Sequence, residues 1–171
     1  MKKTMNNNRF HYLFILAFFL TGVYPLLALE IGEKAPPFVN PDLQMQHVFS
    51  RDYLGKGWVI IDFFATDCEG CKKELPILER LAHDYVDQGL VVLVFATDLE
   101  GQEVVGPYFE LQPTDLTVLL DRYRVALNKY GVTEIPSLFL VNPDGTVVYK
   151  VVGFQEDLYD QISQLISSDE Q

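Results

Sequence analysis

An α/β sandwich around a mixed central sheet is the fold class this sequence predicts, on three observations. Two apolar runs of strand length, "WVIIDFFA" and "LVVLVFATD", flank a stretch whose apolar residues recur at helical spacing. Further on, "SLFLVNPDGTVVYKVVG" reads as two strands around a tight Asn-Pro-Asp-Gly turn, which makes that pair antiparallel. An amphipathic C-terminal segment then closes the chain. Strands first separated by a helix and later joined by a hairpin require a sheet of mixed direction with helices packed on it.

Each element follows in order. Residues 1–29 form a segment apart, described below. In "IGEKAPPFVNPDLQMQHVFSRDYLGKG", the prolines and glycines punctuate a short strand pair and one helical turn, for which Ser50 is the expected cap. "WVIIDFFA" is apolar throughout except for Asp62, the pattern of a strand buried on both faces. From Cys71 to Gln88, Leu75, Leu78, Leu81, Ala82 and Tyr85 share one helical face, and Gly89 stands where a helix stop belongs. "LVVLVFATD" is a second central strand. "QEVVGPYFEL" reads as a short helix strained by Gly106-Pro107. "LTVLLD" is a strand, "RYRVALNKYGV" a helix ended by Gly131, and the last helix carries Leu158, Ile162, Leu165 and Ile166 on one face. No internal repeat or low-complexity tract interrupts this order.

The chain has 171 residues, enough for one domain with a real core, and 49% of them are hydrophobic, which excludes an intrinsically disordered chain. At the N-terminus, Lys2, Lys3 and Arg9 precede the apolar "FHYLFILAFFL", followed by "TGVYPLLALE" with breakers Gly22 and Pro25 and the small residue Ala28. That order is the order of an export signal. The alternative is a retained anchor, because Phe10–Leu29 is uncharged over about the 20 residues that span a bilayer. Either way the basic flank stays inside and residues 30–171, read as one domain, are delivered outside the cytoplasm. No cysteine lies near the segment's end, which excludes a lipid-modified anchor of the bacterial kind. The first acid is Glu30, so the remainder carries 10 basic and 24 acidic residues, a formal charge of −14 against −11 for the whole chain. Such a domain repels nucleic acid and anionic lipid and favours basic partners.

Both cysteines lie in "FFATDCEGCKKELP", between a buried strand and the first turn of a long helix. There the free N–H groups and the helix dipole stabilise an anion at the first sulfur, and the second sulfur lies one turn inward. A structural zinc site needs four ligands, and only His47 and His83 remain in the exported part, both read as surface residues. Covalent haem attachment needs His after the second cysteine, where Lys72 stands. A purely structural disulfide closes so small a loop that it restricts the unfolded chain little. Dithiol–disulfide exchange is the reading this context favours.

The motifs carry a resemblance. "VIIDFFATDCEGC" resembles the thioredoxin signature and "GVTEIPSLFLV" its cis-proline element. "IGEKAPPF", "CKKELP" and "NPDGTVV" are similar to those of the exported TlpA/ResA-like thiol–disulfide oxidoreductases, which carry a redoxin domain. The resemblance covers about residues 31 to 167. It implies a thioredoxin-like three-layer sandwich with an N-terminal hairpin extension, and a Cys68–Cys71 disulfide with Cys68 the exposed nucleophile and Cys71 the buried resolving thiol. Pro136 matches the cis-proline, and with Ile135 would form a strand-like contact with a substrate peptide near Asp67 and Glu69. Asp62 matches the buried acid of thioredoxin, an acceptor for the resolving thiol's proton. Glu74 and Pro76 match a Glu-x-Pro of the ResA-like branch, in which the glutamate sits beside the dithiol.

The resemblance implies no cofactor and no metal. It implies disulfide-containing exported protein substrates, apocytochrome c among them, a membrane thiol as electron donor, a monomer, and a place in the bacterial periplasm or at the outer face of the cytoplasmic membrane. The chain departs from the pattern where Asp67 and Phe64 replace tryptophans and Gly70 replaces the proline between the cysteines. Asp67, Glu69, Glu74 and Glu134 are expected to repel a thiolate at Cys68, which favours a reductant over an oxidant. A thiol peroxidase is disfavoured because its Pro-x-x-x-Thr/Ser-x-x-Cys pattern falls on Ile61 and Ala65. A Sco-like copper carrier would need one more residue between the cysteines, and a redox-silent scaffold would not depend on Cys68.

Overall fold

The structure, a computed structural model, describes residues 29–168. The expected export signal or anchor therefore lies outside the described residues, save for Leu29. Leu29 is buried, and its carbonyl accepts from Lys150 Nζ at 2.9 Å. Among the described residues no helix is long and apolar enough to cross a membrane.

Strands β1 (Val39–Pro41) and β2 (His47–Phe49) form a separate antiparallel hairpin. A single 3-10 turn, Ser50–Asp52, follows. Ser50 does not cap it: the capping position falls on Phe49, with no side-chain bond. The register Val39↔Phe49 directs the Ser50 N–H to the Phe38 carbonyl at 3.0 Å, which draws Ser50 into the buried hairpin base.

The main sheet contains β3 (Val59–Phe64), β4 (Val91–Ala96), β5 (Thr117–Leu120), β6 (Ser137–Val141) and β7 (Val147–Val152), in the spatial order β5-β4-β3-β6-β7. β3, β4 and β5 are mutually parallel, while β6 is antiparallel to both β3 and β7. The helices are α1 (Glu69–Asp84), α2 (Gln102–Leu111), α3 (Val125–Lys129) and α4 (Leu158–Ser168).

Alternation along the strands divides the core in two. Ile60 and Phe64 of β3, Val92, Val94 and Ala96 of β4, and Leu138 and Leu140 of β6 pack under α1, α2 and α4. Val59, Ile61 and Phe63, with Leu93, Phe95, Phe139 and Val141, pack on the other face against Ala126 of α3, Tyr130, Phe38 and Leu29. Every residue of β3 is buried, as its unbroken apolar run requires. Asp62 shares the parity of Ile60 and Phe64, so its carboxyl points under α1.

α1 starts two residues before the apolar periodicity does, because Cys68 caps it. It ends at Asp84, and after Tyr85 the residues Val86–Gln88 form a 3-10 turn closed by Gly89 at φ 75°. Pro76 lies exposed within α1 without ending it. α3 is shorter than its sequence suggests. The buried Asp121 carboxylate accepts from the N–H groups of Ala126 (3.1 Å) and Leu127 (2.8 Å), which sets where the helix begins.

Candidate active site

The dithiol sits where β3 gives way to α1. Residues Ala65 to Cys68 form a turn closed by the Cys68 N–H on the Ala65 carbonyl at 3.1 Å. Cys68 leaves that turn in an extended conformation (φ −90°, ψ 107°) and becomes the N-cap of α1. Its Sγ accepts from the Cys71 N–H at 3.2 Å, so one otherwise unpaired donor of the helix terminus is directed at the sulfur. The two cysteines are joined as a disulfide with their Cα atoms 5.3 Å apart. Cys68 is half-buried and Cys71 is 1% exposed, so an incoming thiol or disulfide can meet only the first.

The 133–136 loop closes over the pair. The Ile135–Pro136 bond is cis. A Cβ on Gly70, between the cysteines, would lie 3.2 Å from Pro136 Cδ and 3.5 Å from Phe154 Cβ. Gly70 therefore leaves this loop room to lie close on the dithiol, where a side chain would crowd Pro136. The Gly153 N–H donates to the Pro136 carbonyl at 2.8 Å and fixes the loop from the β7 side. Ile135 is half-buried, while Glu134 and Asp67 are exposed. Beside Ile135 a cleft of about 490 Å³ runs toward α3, lined by Thr97, Arg124, Leu127 and Val132.

One turn along α1 from Cys71 two carboxyls meet. Glu74 follows Cys71 by three residues on α1 and so projects from the same face. There it meets Asp62 from β3, and each residue is 1% exposed. Asp62 Oδ1 and Glu74 Oε1 have no hydrogen-bond partner among the described residues unless one carboxyl is protonated and donates to the other. Burial raises the Asp62 carboxyl well above its ordinary range, and the neighbouring Glu74 charge raises it further. Burial likewise pushes Glu74 up to about 7, against an opposing hydrogen bond from Asp62. Like charges in an apolar site cannot both ionise cheaply, so the pair holds a proton into the neutral range.

These placements correct one expectation. Glu74 does not stand at the mouth as a free negative charge. It is turned under the helix, protonated over much of the range below neutrality. Glu69 is exposed but paired with Lys72 at 2.7 Å, which holds its carboxyl below the usual range. Of the four acids expected to repel a thiolate, Asp67 and Glu134 remain exposed without a salt bridge among the described residues.

Sequence reasoning missed three residues. Phe154 packs against Gly70 and carries no local signal. Asp98 and Thr66 do carry one: the tetrapeptide "FATD" occurs at 64–67 and again at 95–98. The two copies end adjacent parallel strands, with Phe64 and Ala96 in register. The buried Asp98 carboxylate accepts from the Thr66 N–H (3.1 Å) and from Thr66 Oγ1 (2.5 Å). Among the described residues no group of three or more His, Cys, Asp or Glu side chains is placed to hold a metal ion. His47 and His83 are exposed.

The chain is similar to known proteins in sequence and in fold. Residues 31–150 match the AhpC/TSA family. A thiol-disulfide oxidoreductase ResA of Bacillus thuringiensis subsp. konkukian is 32% identical over 127 residues, covering 74% of this chain and 72% of the relative. A crystal structure assigned as thiol:disulfide interchange protein DsbE of Chlorobium tepidum superposes with a TM-score of 0.76 at 27% identity, covering 82% of this chain and 98% of the other. The thioredoxin domain of a Bacteroides vulgatus thiol-disulfide oxidoreductase gives 0.72 at 27% identity, covering 81% and 99%. The fold is thioredoxin-like.

Proposed function

Because the chain belongs to the AhpC/TSA family, and is a thiol–disulfide oxidoreductase within it, we propose that it reduces disulfides of exported proteins outside the cytoplasm through Cys68 and Cys71. The observation that supports this reading is the unequal setting of the two sulfurs. Cys68 is partly exposed at a helix N-terminus, whereas Cys71 is buried one helical turn before Glu74, which meets the buried Asp62.

In the reducing direction the Cys68 thiolate attacks one sulfur of a substrate disulfide. The other substrate sulfur leaves as a thiolate and takes a proton from water. The substrate chain lies along Ile135 and Pro136, with its flanking residues beside Asp67, Glu69 and the Ile135 cleft. Cys71 then passes its proton to the carboxyl pair and attacks Cys68 Sγ, releasing the second substrate thiol. Two electrons have moved to the substrate, and the Cys68–Cys71 bridge remains. A membrane dithiol of lower potential returns the electrons by the same exchange in reverse. The acidic surface suits basic substrates, and unfolded apocytochrome c is the one we propose. The N-terminal segment 1–29 serves as the export signal or the anchor.

Direction follows from what stabilises the thiolate. A dithiol is a strong oxidant when its reduced form is strongly stabilised. Here the Cys71 N–H favours the Cys68 anion, while Asp67 and Glu134 oppose it and Lys72 is engaged by Glu69. The test has two parts. Cys71→Ser, which stalls at the mixed disulfide, should capture exported proteins with paired cysteines. The reduction potential should lie nearer the roughly −270 mV of thioredoxin than the roughly −120 mV of DsbA. A potential near the upper value, or a Cys68 pKa below about 5 as in strong oxidants, would overturn the reducing assignment.

A further inference from the structure

We infer that Asp98 is a positioning residue for the reaction at Cys68, acting through Thr66 on the turn that carries the sulfur. The inference rests on Cys68 being the attacking thiol, as proposed above. β3 and β4 pair in parallel as far as Phe64 and Ala96. Beyond them Thr97 donates to the Phe64 carbonyl through both its N–H (2.8 Å) and its Oγ1 (3.0 Å). The next link in this zipper is a side chain. Asp98 Oδ1 accepts from the Thr66 N–H and Oγ1, and Oδ2 lies 3.3 Å from the same N–H.

Thr66 is the second residue of the Ala65–Cys68 turn, so the clamp fixes that turn to β4 from its inner side. The turn is closed by the Cys68 N–H, and Cys68 Sγ then receives the Cys71 N–H. A continuous run of bonds therefore links a buried carboxylate just past the end of the neighbouring strand to the sulfur's place at the helix terminus. On its other side the same turn faces the cis-proline loop, where a Cβ on Gly70 would lie 3.2 Å from Pro136 Cδ.

Two effects of Asp98 oppose each other, and this makes the inference testable. As a charge it disfavours the Cys68 thiolate; as a clamp it holds Sγ on the Cys71 N–H and favours it. D98N keeps an oxygen acceptor for Thr66 and removes the charge, whereas D98A removes both. With the reduced protein, alkylation by iodoacetamide against pH gives the Cys68 pKa, and oxidised glutathione gives its exchange rate. D98A should raise the pKa by about one unit and slow exchange at neutral pH about threefold, since the tenfold loss of thiolate is partly offset by the greater nucleophilicity of the more basic sulfur. D98N should not raise the pKa, and T66V, which loses only the hydroxyl donor, should slow exchange about twofold. A lowered or unchanged pKa in folded D98A, or an equal rise in D98N, would overturn the clamp. If D98A does not fold, T66V decides: an unaltered rate overturns the inference. Mass spectrometry of the alkylated protein separates the two readings, because modification first at a residue other than Cys68 counts against the proposed function instead.

Discussion

Replacing Glu74 by glutamine should change how stability depends on pH, with a sign and size that follow from its burial. Burial raises the Glu74 carboxyl from 4.5 to about 7 in the folded chain. The folded state thus holds this proton more tightly than the unfolded state does. Below about pH 4.5 both states are protonated and the full stability is present. Between that pH and about 7 the unfolded chain ionises while the folded one keeps its proton, so stability falls as pH rises. Above 7 both are ionised, and a gap of about 2.5 units corresponds to about 3 kcal/mol lost. Asp62 shifts in the same direction and adds to the decline.

A glutamine side chain does not titrate, and its amide can donate to Asp62. Glu74→Gln should therefore gain about 3 kcal/mol relative to the parent between pH 4.5 and pH 8. Urea unfolding of the oxidised protein measures it. With slopes of roughly 1–3 kcal/mol per molar urea, the difference between the two midpoints should change by at least about 1 M over that range. Comparing variant with parent cancels every other titrating group that the substitution leaves alone. A difference constant to within about 0.5 kcal/mol across the range would refute the assignment of a buried, proton-holding Glu74.

Three other substitutions test neighbouring parts of the structure. Asp62→Asn should slow attack by Cys71 on a Cys68–thionitrobenzoate mixed disulfide by roughly tenfold at pH 7, and adding Glu74→Gln should bring the loss to roughly a hundredfold, the scale of one general base; release of the chromophore in a stopped-flow experiment gives both rates. Lys72→Met removes a cation near the dithiol and frees the Glu69 charge, so the Cys68 pKa should rise, as followed by thiolate absorbance against pH. Asp121→Ala strips the acceptor from two N–H groups of α3 and from the Asn40 side chain (3.3 Å), and should cost about 2–4 kcal/mol in urea unfolding.

What the sequence determined by itself is whatever is written locally. Hydrophobic periodicity distinguishes β3 and β4 from α1. Gly89 marks the turn after α1, and Asn-Pro-Asp-Gly marks the β6–β7 hairpin. The spacing of Cys68 and Cys71 at a strand–helix junction already brings the two sulfurs within reach of each other, because a helix turn returns every three to four residues, while the exposed and buried roles come from the family resemblance. Even the burial of Asp62 is legible, since an acid inside an unbroken apolar run has no solvent to face.

The tertiary structure alone decided which distant residues meet. Glu74 is a polar residue on a helix of mixed composition, and nothing local distinguishes a solvent-facing acid from one turned onto β3. It is buried because α1 crosses the sheet with the Cys71 face downward, which brings Glu74 over Asp62. Asp98 lies 32 positions from Thr66. They touch because β4 lies next to β3 in parallel, so the two strands end at the same level. Gly70 meets Pro136 only because β6 pairs with β3 from the other side and returns its preceding loop to the dithiol. Periodicity sets the elements, but the order of strands in the sheet sets the neighbours of Cys68 and Cys71.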